Sequence, residues 1–221
     1  NENELTSKPI VEKFGGRVIL IPLKHNISTT KIIEKINSLD LYQSIKLKKE
    51  KVKIAFIDRD GTINKNKHFI HKIDDFELEK NALEGLTKIQ NKGYKIIIVT
   101  NQQGIGLGYY NEEDFYKFNT EIFKAVSKNN IKIDKIFYCP HSLANNCNCM
   151  KPKIGLFEKA KKFYDIDMNN SVMIGDLTSD IEFGKNAKLK TILLKTGHNG
   201  SDKKYDVKPD FIANDLLDAS K

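Results

Sequence analysis

Short apolar runs alternate with amphipathic stretches along most of this chain, and the alternation predicts its secondary structure. The apolar runs predict strands at 16–22, 53–57, 95–100, 135–138, 171–175, 191–194 and 211–212. Apolar residues at helical spacing predict helices at 28–39, 81–91, 111–128, 155–164 and 179–186, with a closing helix around Leu216. Apolar strands that alternate with helices are typical of a parallel sheet covered on both faces. We therefore expect an α/β fold with a Rossmann-like sheet.

A lysine-rich segment from Lys46 to Lys53 separates the first predicted strand and helix from the rest of the chain. Polar segments of this kind commonly connect domains. We therefore place a boundary near residue 50, with a short α/β piece at 1–50 and the main domain at 51–221. A chain of 221 residues is long enough for one good-sized domain and part of another.

Composition describes an ordinary globular protein, with 39% hydrophobic and 30% charged residues. No apolar run approaches the ~20 residues of a membrane span, and the acidic start lacks the apolar core of a signal peptide. We expect a cytoplasmic protein that binds no membrane. The net charge of +8 is almost entirely lysine, because Arg17 and Arg59 are the only arginines. Proteins that recognise nucleic acids favour bidentate arginine, so we interpret the lysines as a solvated surface and expect no nucleic-acid partner.

Two carboxylates follow the predicted strand at 53–57 directly. Asp58 and Asp60 are two residues apart, so on an extended chain their side chains point the same way. At the carboxyl edge of a parallel sheet, paired carboxylates predict a site for a hard cation such as Mg²⁺. One of them is then placed to attack phosphorus, as in enzymes that form an aspartyl phosphate. A charged turn after a strand explains the same two residues, so other parts of the chain must decide.

Three further points along the chain carry matching chemistry. A later strand ends in Thr100 and Asn101, and the glycine-rich loop that follows permits close approach of an anion. Another strand is followed by Asp176 and, at a helix start, Asp180, while Lys151 offers a cation just before a helix. Each of these has an ordinary structural explanation by itself. Together, at successive strand ends, they predict a site for phosphate transfer.

All three cysteines lie in one short segment with a histidine. Cys139, His141, Cys147 and Cys149 supply four ligands within eleven residues, the number that a tetrahedral structural zinc site needs. A disulfide is the alternative, but it leaves one cysteine over, and a Cys-x-Cys bridge is strained. We therefore expect a structural Zn²⁺ that fixes the loop leading into Lys151.

A zinc-stabilised nucleic-acid-binding module, motivated by a pI of about 9.1, is the alternative from another class of function.

Across residues 52–221 the chain resembles the haloacid dehalogenase superfamily of phosphatases. The matching motifs are Asp58-Arg59-Asp60-Gly61-Thr62, Thr100, Lys151 and Gly175-Asp176-x-x-x-Asp180. The resemblance implies the haloacid dehalogenase fold with a minimal cap, extended here by the zinc-binding loop. It also implies that Asp180 supports the site, either by binding the metal through water or by orienting Lys151.

The same resemblance implies a role for each matching residue. Asp58 is the nucleophile, and Asp60 is the general acid and base. Thr100 and Lys151 hold the phosphoryl oxygens. Mg²⁺ is bound by Asp58, Asp60 and Asp176. These roles agree with general chemistry, because a cation and a lysine neutralise the charge on a transferring phosphoryl group.

The zinc loop just before Lys151-Pro152 is similar to that of two related groups of phosphatases. One group hydrolyses D-glycero-D-manno-heptose 1,7-bisphosphate at the 7-phosphate, and the other hydrolyses histidinol phosphate. Segments similar to the heptose group are Asp58 to Asn64, Phe69-Ile70-His71, Asp75-Phe76, Thr100 to Ile105 and Lys151 to Gly155. This resemblance implies a small phosphorylated sugar as substrate, contacted by Thr100, Asn101, Lys151 and His71. A surface histidine is the simpler explanation of His71.

Two positions depart from the heptose group. That group usually has arginine where this chain has Leu107 and Met150. Both substitutions remove a charge, so a general preference for lysine over arginine does not explain them. We expect altered recognition of the sugar or of its distal phosphate, with the reacting groups intact.

The first part of the chain resembles the C-terminal end of the adenylyltransferase domain of ADP-heptose synthase, over residues 1–45. The similar segments are Gly15 to Leu23 and Ile27 to Ile33. A His-x-x-His nucleotide-binding motif is absent, since His25 is the only histidine before His68. The resemblance implies a fusion whose missing part is a nucleotidyltransferase that uses the phosphatase product. We expect the chain itself to be a monomer.

Overall fold

A computed structural model describes residues 50–221 of the chain. The chain divides into two units between Lys48 and Lys49, and the described residues belong to the second unit. The strand expected at 16–22, the helix expected at 28–39 and the resemblance to ADP-heptose synthase lie outside the described residues. The domain boundary near residue 50 stays a prediction.

Strands and helices alternate through residues 50–221. The strands are β1 Ile54–Ile57, β2 Lys95–Asn101, β3 Ile133–Cys139, β4 Val172–Gly175, β5 Lys190–Leu194 and β6 Phe211–Ala213. The helices are α1 Ala82–Asn91, α2 Gln103–Gly106, α3 Glu112–Lys128, α4 Gly155–Lys161, α5 Thr178–Asn186 and α6 Leu216–Ala219. Single 3₁₀ turns occur at Ile73–Asp75 and Leu143–Asn145.

The strands form one sheet in the order β3-β2-β1-β4-β5-β6, and every neighbouring pair is parallel. The chain moves outward from β1 to β2 and β3, then crosses back to place β4 on the other side of β1. Such a reversal of strand order opens a crevice at the carboxyl ends of the two central strands, where α/β proteins bind ligands. Here that crevice lies after β1 and β4.

Alternate residues of the central strands pack into two separate cores. On β1, Ile54 and Phe56 belong to one core and Ala55 and Ile57 to the other, and all four are fully buried. The period of two in a strand sends neighbours to opposite faces. Helices cover both faces, since Phe157 of α4 lies in the first core and Phe118 of α3 in the second. The α/β fold with a parallel sheet covered on both faces is confirmed.

The predicted elements of residues 50–221 are present, with boundaries that differ by a few residues. The largest differences are α4, which ends at Lys161 instead of residue 164, and the one-turn helix α2, predicted only as a glycine-rich loop. Glycine has low helix propensity, so packing decides such a turn.

Between β1 and α1 the chain forms only a 3₁₀ turn and isolated bridges, which agrees with a minimal cap. In the described part of the chain, no helix is both long and apolar enough to cross a membrane.

Candidate active site

Three carboxylates meet in the crevice between β1 and β4. Asp58 follows β1, Asp176 follows β4, and Asp180 lies in the first turn of α5. All three side chains are buried, and one carboxylate oxygen of each lies within 4.8 Å of the others. Hard oxygen ligands this close together suit a small divalent cation.

Lys151 is the cation of this cluster. Its Nζ lies 2.8 Å from Asp58 Oδ1 and 2.6 Å from Asp180 Oδ1, and it donates a hydrogen bond to the main-chain oxygen of Val99 at 2.8 Å. The Lys151 backbone is held by Asn101, which accepts from Lys151 N at 2.9 Å and donates to Lys151 O at 3.1 Å. The lysine is therefore fixed at both ends against β2.

The cluster carries more negative than positive charge. Burial, followed by the nearby Asp180 carboxylate, raises the pKa of Asp58 to about 7 although Lys151 opposes the shift. Burial and the charges of Asp58 and Asp180 raise the pKa of Asp176 to about 8. For Lys151, burial acts to lower the pKa, but the attraction of Asp180 and Asp58 outweighs it and raises the pKa. When ionised, the three carboxylates outnumber the one ammonium, and a divalent cation would neutralise the excess negative charge.

Two glycines bring backbone close to Asp176. Gly61 and Gly197 have φ of 86° and 52°, and a Cβ on either would collide with the Asp176 carboxylate. This approach lets His198 N donate to Asp176 Oδ2 at 2.7 Å. Only glycine meets both requirements, a positive φ and no side chain.

The carboxylate of Asp60 lies outside this cluster. Its Oδ1 accepts hydrogen bonds from Arg59 Nε at 2.8 Å and Asn64 Nδ2 at 2.9 Å. Its Oδ2 accepts from Arg59 Nη2 at 2.8 Å and Gln102 Nε2 at 3.0 Å. Both oxygens are therefore engaged by neighbours. Of the three residues expected to bind Mg²⁺, the structure brings the side chains of Asp58 and Asp176 together, with Asp180 as the third carboxylate.

Asp58 and Asp60 nevertheless line one cavity of about 220 Å³. Thr100, Asn101 and Lys151 also line it, together with Tyr110 and the cap residues His68 and Phe69. Burial raises the pKa of Tyr110 to about 12, so its hydroxyl remains a donor to Gln102 Oε1 at 2.7 Å.

His71 is not among the described residues that line this cavity. Its ring instead stacks on Tyr110, with ring centroids 4.8 Å apart and an angle of 10° between the planes. Its Nδ1 lies 2.8 Å from the main-chain oxygen of Phe69. The structure therefore places His71 behind a lining residue.

The two positions that depart from the heptose group differ in their surroundings. Leu107 is 48% exposed at the end of α2. Met150 is buried and lines a second cavity of about 350 Å³, which shares Asn101 and Lys151 with the first. Exposed Lys153 and Lys204 also line this second cavity.

The four residues of the cysteine-rich loop converge after β3. Cys139 Sγ lies 3.4 Å from Cys147 Sγ, 3.3 Å from Cys149 Sγ and 3.6 Å from His141 Nδ1. Cys149 Sγ lies 3.5 Å from Cys147 Sγ and 3.2 Å from His141 Nδ1. All three thiols are free, and these separations are far longer than the ~2.05 Å of a disulfide bond. Zn–S and Zn–N bonds of about 2.0–2.3 Å in a tetrahedron require ligand separations of this size.

Sequence reasoning did not identify the polar network around Asp60. Arg59, Asn64, Gln102 and Tyr110 contact one another or Asp60. The sequence places Arg59 inside the motif Asp58 to Thr62, and an arginine between two carboxylates is the available signal for its role. Gln102 and Tyr110 carried no signal, because their contacts depend on where α2 places them.

A family model described as HAD-hydrolase-like matches residues 148–219. The chain is 40% identical over 179 residues to the D-glycero-alpha-D-manno-heptose-1,7-bisphosphate 7-phosphatase of Photorhabdus laumondii subsp. laumondii, covering 77% of this chain and 96% of the relative. It is 45% identical over 144 residues to the enzyme of the same name from Campylobacter jejuni subsp. jejuni, covering 65% of this chain and 83% of the relative.

A crystal structure of D,D-heptose 1,7-bisphosphate phosphatase from B. bronchiseptica, complexed with magnesium and phosphate, shares the fold. Its TM-score is 0.71 at 22% identity, over 76% of this chain and 96% of that chain. The expected resemblance to the heptose-bisphosphate phosphatases is thus confirmed by relatives that are covered to more than four fifths of their length. The chain belongs to the heptose-1,7-bisphosphate 7-phosphatase family of haloacid dehalogenase-like phosphatases.

Proposed function

We propose that this phosphatase hydrolyses D-glycero-D-manno-heptose 1,7-bisphosphate at the 7-phosphate through a phosphorylated Asp58. The observation that carries the proposal is the buried contact of Asp58 with Lys151 in the crevice, 2.8 Å apart, in a chain whose relatives bear the name of this activity. A carboxylate held beside a fixed ammonium group is suited to attack a phosphoryl group whose charge the ammonium neutralises.

In the first step an Asp58 carboxylate oxygen forms a bond to phosphorus while the bond from phosphorus to the sugar oxygen breaks. Lys151 and Thr100, which both line the cavity, stabilise the phosphoryl oxygens. Asp60 gives a proton to the departing sugar oxygen. General acid catalysis of this kind contributes roughly 10²–10⁴-fold.

In the second step a water oxygen attacks the phosphorus of phosphorylated Asp58. Asp60 takes the proton from that water, and the bond between phosphorus and Asp58 breaks. The products are inorganic phosphate and the original Asp58 carboxylate. Asp60 returns to the protonation state in which it began the cycle.

The residues present fit a bound Mg²⁺. Asp58 and Asp176 would hold it, with Asp180 as the third carboxylate beside them, since these carboxylate oxygens converge and their charge exceeds that of Lys151. The Asp60 carboxylate is hydrogen-bonded to Arg59. Asp60 would therefore bind the metal through its main-chain carbonyl oxygen. When bound, Mg²⁺ neutralises the charge on the transferring phosphoryl group.

A Zn²⁺ ion in the cysteine-rich loop completes the proposal. Three thiols and one imidazole converge with tetrahedral separations. Four protein ligands leave no position for water, so this ion would be structural. Met150 and Lys151 follow Cys149 directly, so the ion would fix the loop that delivers Lys151 to the carboxylates. Free thiols in such a site agree with a reducing compartment such as the cytoplasm.

A phosphate-release screen tests the substrate. Purified enzyme with Mg²⁺ is offered both anomers of the heptose bisphosphate, other sugar bisphosphates, sugar monophosphates and histidinol phosphate, with the Asp58→Asn variant as the blank. The heptose bisphosphate should give the highest kcat/KM. Faster release from histidinol phosphate would replace the proposed substrate with that one.

A further inference from the structure

Arg59 is the largest fully buried side chain in the described part of the protein, and the steps above do not use it. Its guanidinium lies over two aromatic rings of α3, 4.8 Å from the centroid of Phe118 and 5.4 Å from that of Phe115. It turns toward the crevice, where Nε and Nη2 each donate to a different oxygen of Asp60 at 2.8 Å. The planar guanidinium of Arg59 thus binds the planar carboxylate of Asp60 through two hydrogen bonds along one edge.

The guanidinium is also tied to the rest of the crevice. Arg59 Nη2 donates to Gln102 Oε1 at 3.0 Å and to the main-chain oxygen of Ile70 at 3.3 Å. The amide of the same Gln102 donates to Asp60 Oδ2 at 3.0 Å and to Thr100 Oγ1 at 2.8 Å. One side chain therefore joins Arg59 and Asp60 to a residue expected to hold phosphate.

Composition gives an independent reason to assign Arg59 a specific task. Of the 37 basic residues only Arg17 and Arg59 are arginines, so 35 are lysines. Lysine supplies a compact point charge, whereas arginine supplies a rigid fork that matches a carboxylate. In addition, Arg59 Nη1 is buried with no hydrogen-bond partner among the described residues, which is unfavourable for a buried donor. The two hydrogen bonds that one guanidinium can donate to one carboxylate explain why an arginine stands at this position.

We propose that Arg59 is a positioning residue that fixes the plane of the Asp60 carboxylate for both proton transfers. The inference rests on the proposed function, because it assigns Asp60 the proton given to the leaving oxygen and the proton taken from water. The four hydrogen bonds to Asp60 occupy both oxygens. The two from Asn64 and Gln102 come from neutral amides, and the two from Arg59 hold the carboxylate in one orientation. Loss of the fork leaves Asp60 in place but held by the two neutral amides alone, so its carboxylate is less firmly oriented.

Arg59→Lys tests this by keeping the charge and removing the fork. With a sugar phosphate, kcat should fall about 100-fold while KM changes less than threefold, since acid and base assistance is worth roughly 10²–10⁴. With p-nitrophenyl phosphate, the phenolate leaves without a proton, so phosphorylation of Asp58 should proceed. Hydrolysis of phosphorylated Asp58, which needs Asp60 as a base, should stall. Acid-quenched Arg59→Lys should then carry one added phosphate in an intact-mass spectrum, as Asp60→Asn should.

Val126→Ala is the matched control for destabilisation. Val126 is buried on α3, the helix that also carries the rings beside Arg59, and it takes part in none of the hydrogen bonds of the network. This variant should lose thermal stability without accumulating phosphorylated protein. Gln102→Met is a second test that leaves Arg59 in place. It removes one donor to Asp60 and one of the three acceptors of Arg59 Nη2, and it should give a smaller, about tenfold, loss of kcat with the same added phosphate.

The outcomes separate the two proposals. A wild-type enzyme that ignores heptose bisphosphate but hydrolyses p-nitrophenyl phosphate overturns the substrate assignment, while the aryl substrate still decides the role of Arg59. If folded Arg59→Lys keeps its kcat, or loses it without accumulating phosphorylated protein, Arg59 does not position Asp60. If Arg59→Lys does not fold, Gln102→Met decides by the same spectrum, and an absent phosphate adduct overturns the inference.

Discussion

At the scale of single residues, Asp58 carries the proposed chemistry. Asp58→Asn keeps the size of the side chain but cannot form an acyl phosphate, so phosphate release should fall to the blank. The fold should persist, because the amide removes a charge from a cluster that is rich in carboxylates. Circular dichroism and zinc content should match wild type. Measurable turnover by a homogeneous Asp58→Asn preparation would remove Asp58 as nucleophile.

Replacing Met150 with arginine should strengthen substrate binding. It lines the second cavity beside Lys151, and if that cavity takes the distal phosphate, an arginine there would face it. Met150→Arg should lower KM for heptose bisphosphate about tenfold with kcat nearly unchanged, because one charge-assisted contact of ~1.5 kcal/mol would return. Met150→Leu is the uncharged control.

A monophosphate that lacks the distal group shows whether that contact is the cause. The benefit of Met150→Arg should vanish with this substrate. An unchanged KM for every sugar bisphosphate would mean that another group, such as Lys153 or Lys204 in the same cavity, already holds that phosphate, or that the substrate is a different one.

At the scale of elements, the zinc loop should contribute to stability and activity together. Cys147→Ser removes one of the four converging ligands and should lower Tm by several degrees and lower kcat, because binding of a structural metal is part of the folding free energy. The exposed Asn148→Ala, one residue along the loop, is the matched control and should change neither. Metal analysis of wild-type protein purified without chelators should give one zinc per chain. Zinc-free protein with full stability would contradict the site.

Elements were the most predictable part of the fold. Each strand of residues 50–221 is an apolar run bounded by polar residues, so its position and the residue at its carboxyl end could be found from spacing alone. Asp58, Thr100 and Asp176 were located in this way. The cysteine-rich loop was also predictable, because its four ligands are close in the sequence.

The direction of side chains beyond a strand end was harder to predict. The period of two was expected to carry Asp58 and Asp60 to the same place, but β1 ends at Ile57 and the chain turns at Gly61, where φ is 86°. Arg59 and Gln102 then draw the Asp60 carboxylate to a separate position. The contacts of Gln102 with Arg59 and with Asp60 join residues 43 and 42 apart in the sequence, so no local pattern contains them.

At the scale of the whole molecule, the crevice should make stability depend on pH in a sense opposite to that of ordinary ion pairs. Burial raises the pKa of Asp58 from 3.8 to about 7 and that of Asp176 from 3.8 to about 8. The folded protein without metal therefore binds more protons than the unfolded chain between these limits. Its free energy of unfolding should fall as pH rises through that window, by up to about 1.4 kcal/mol per pH unit for each proton.

Thermal unfolding at matched ionic strength checks this. Between pH 5.5 and 7.5, Tm of the Mg²⁺-free protein should fall by several degrees relative to the protein with saturating Mg²⁺, since 1 kcal/mol corresponds to about 2–4 °C at this size. Asp180→Asn, which removes one of the charges responsible, should flatten the dependence. Identical pH profiles with and without Mg²⁺ would show that these carboxylates do not hold the ion.

The central position of β1 has a consequence for how the enzyme fails. This strand pairs with β2 on one side and β4 on the other, and all four of its residues are fully buried. Amide hydrogens in such a strand exchange with solvent only when the whole domain opens, whereas edge segments open locally. The nucleophile follows this strand directly, so local fraying at the β6 edge leaves Asp58 in place. On heating, loss of turnover should coincide with loss of amide protection in β1 and come after exchange at the β6 edge.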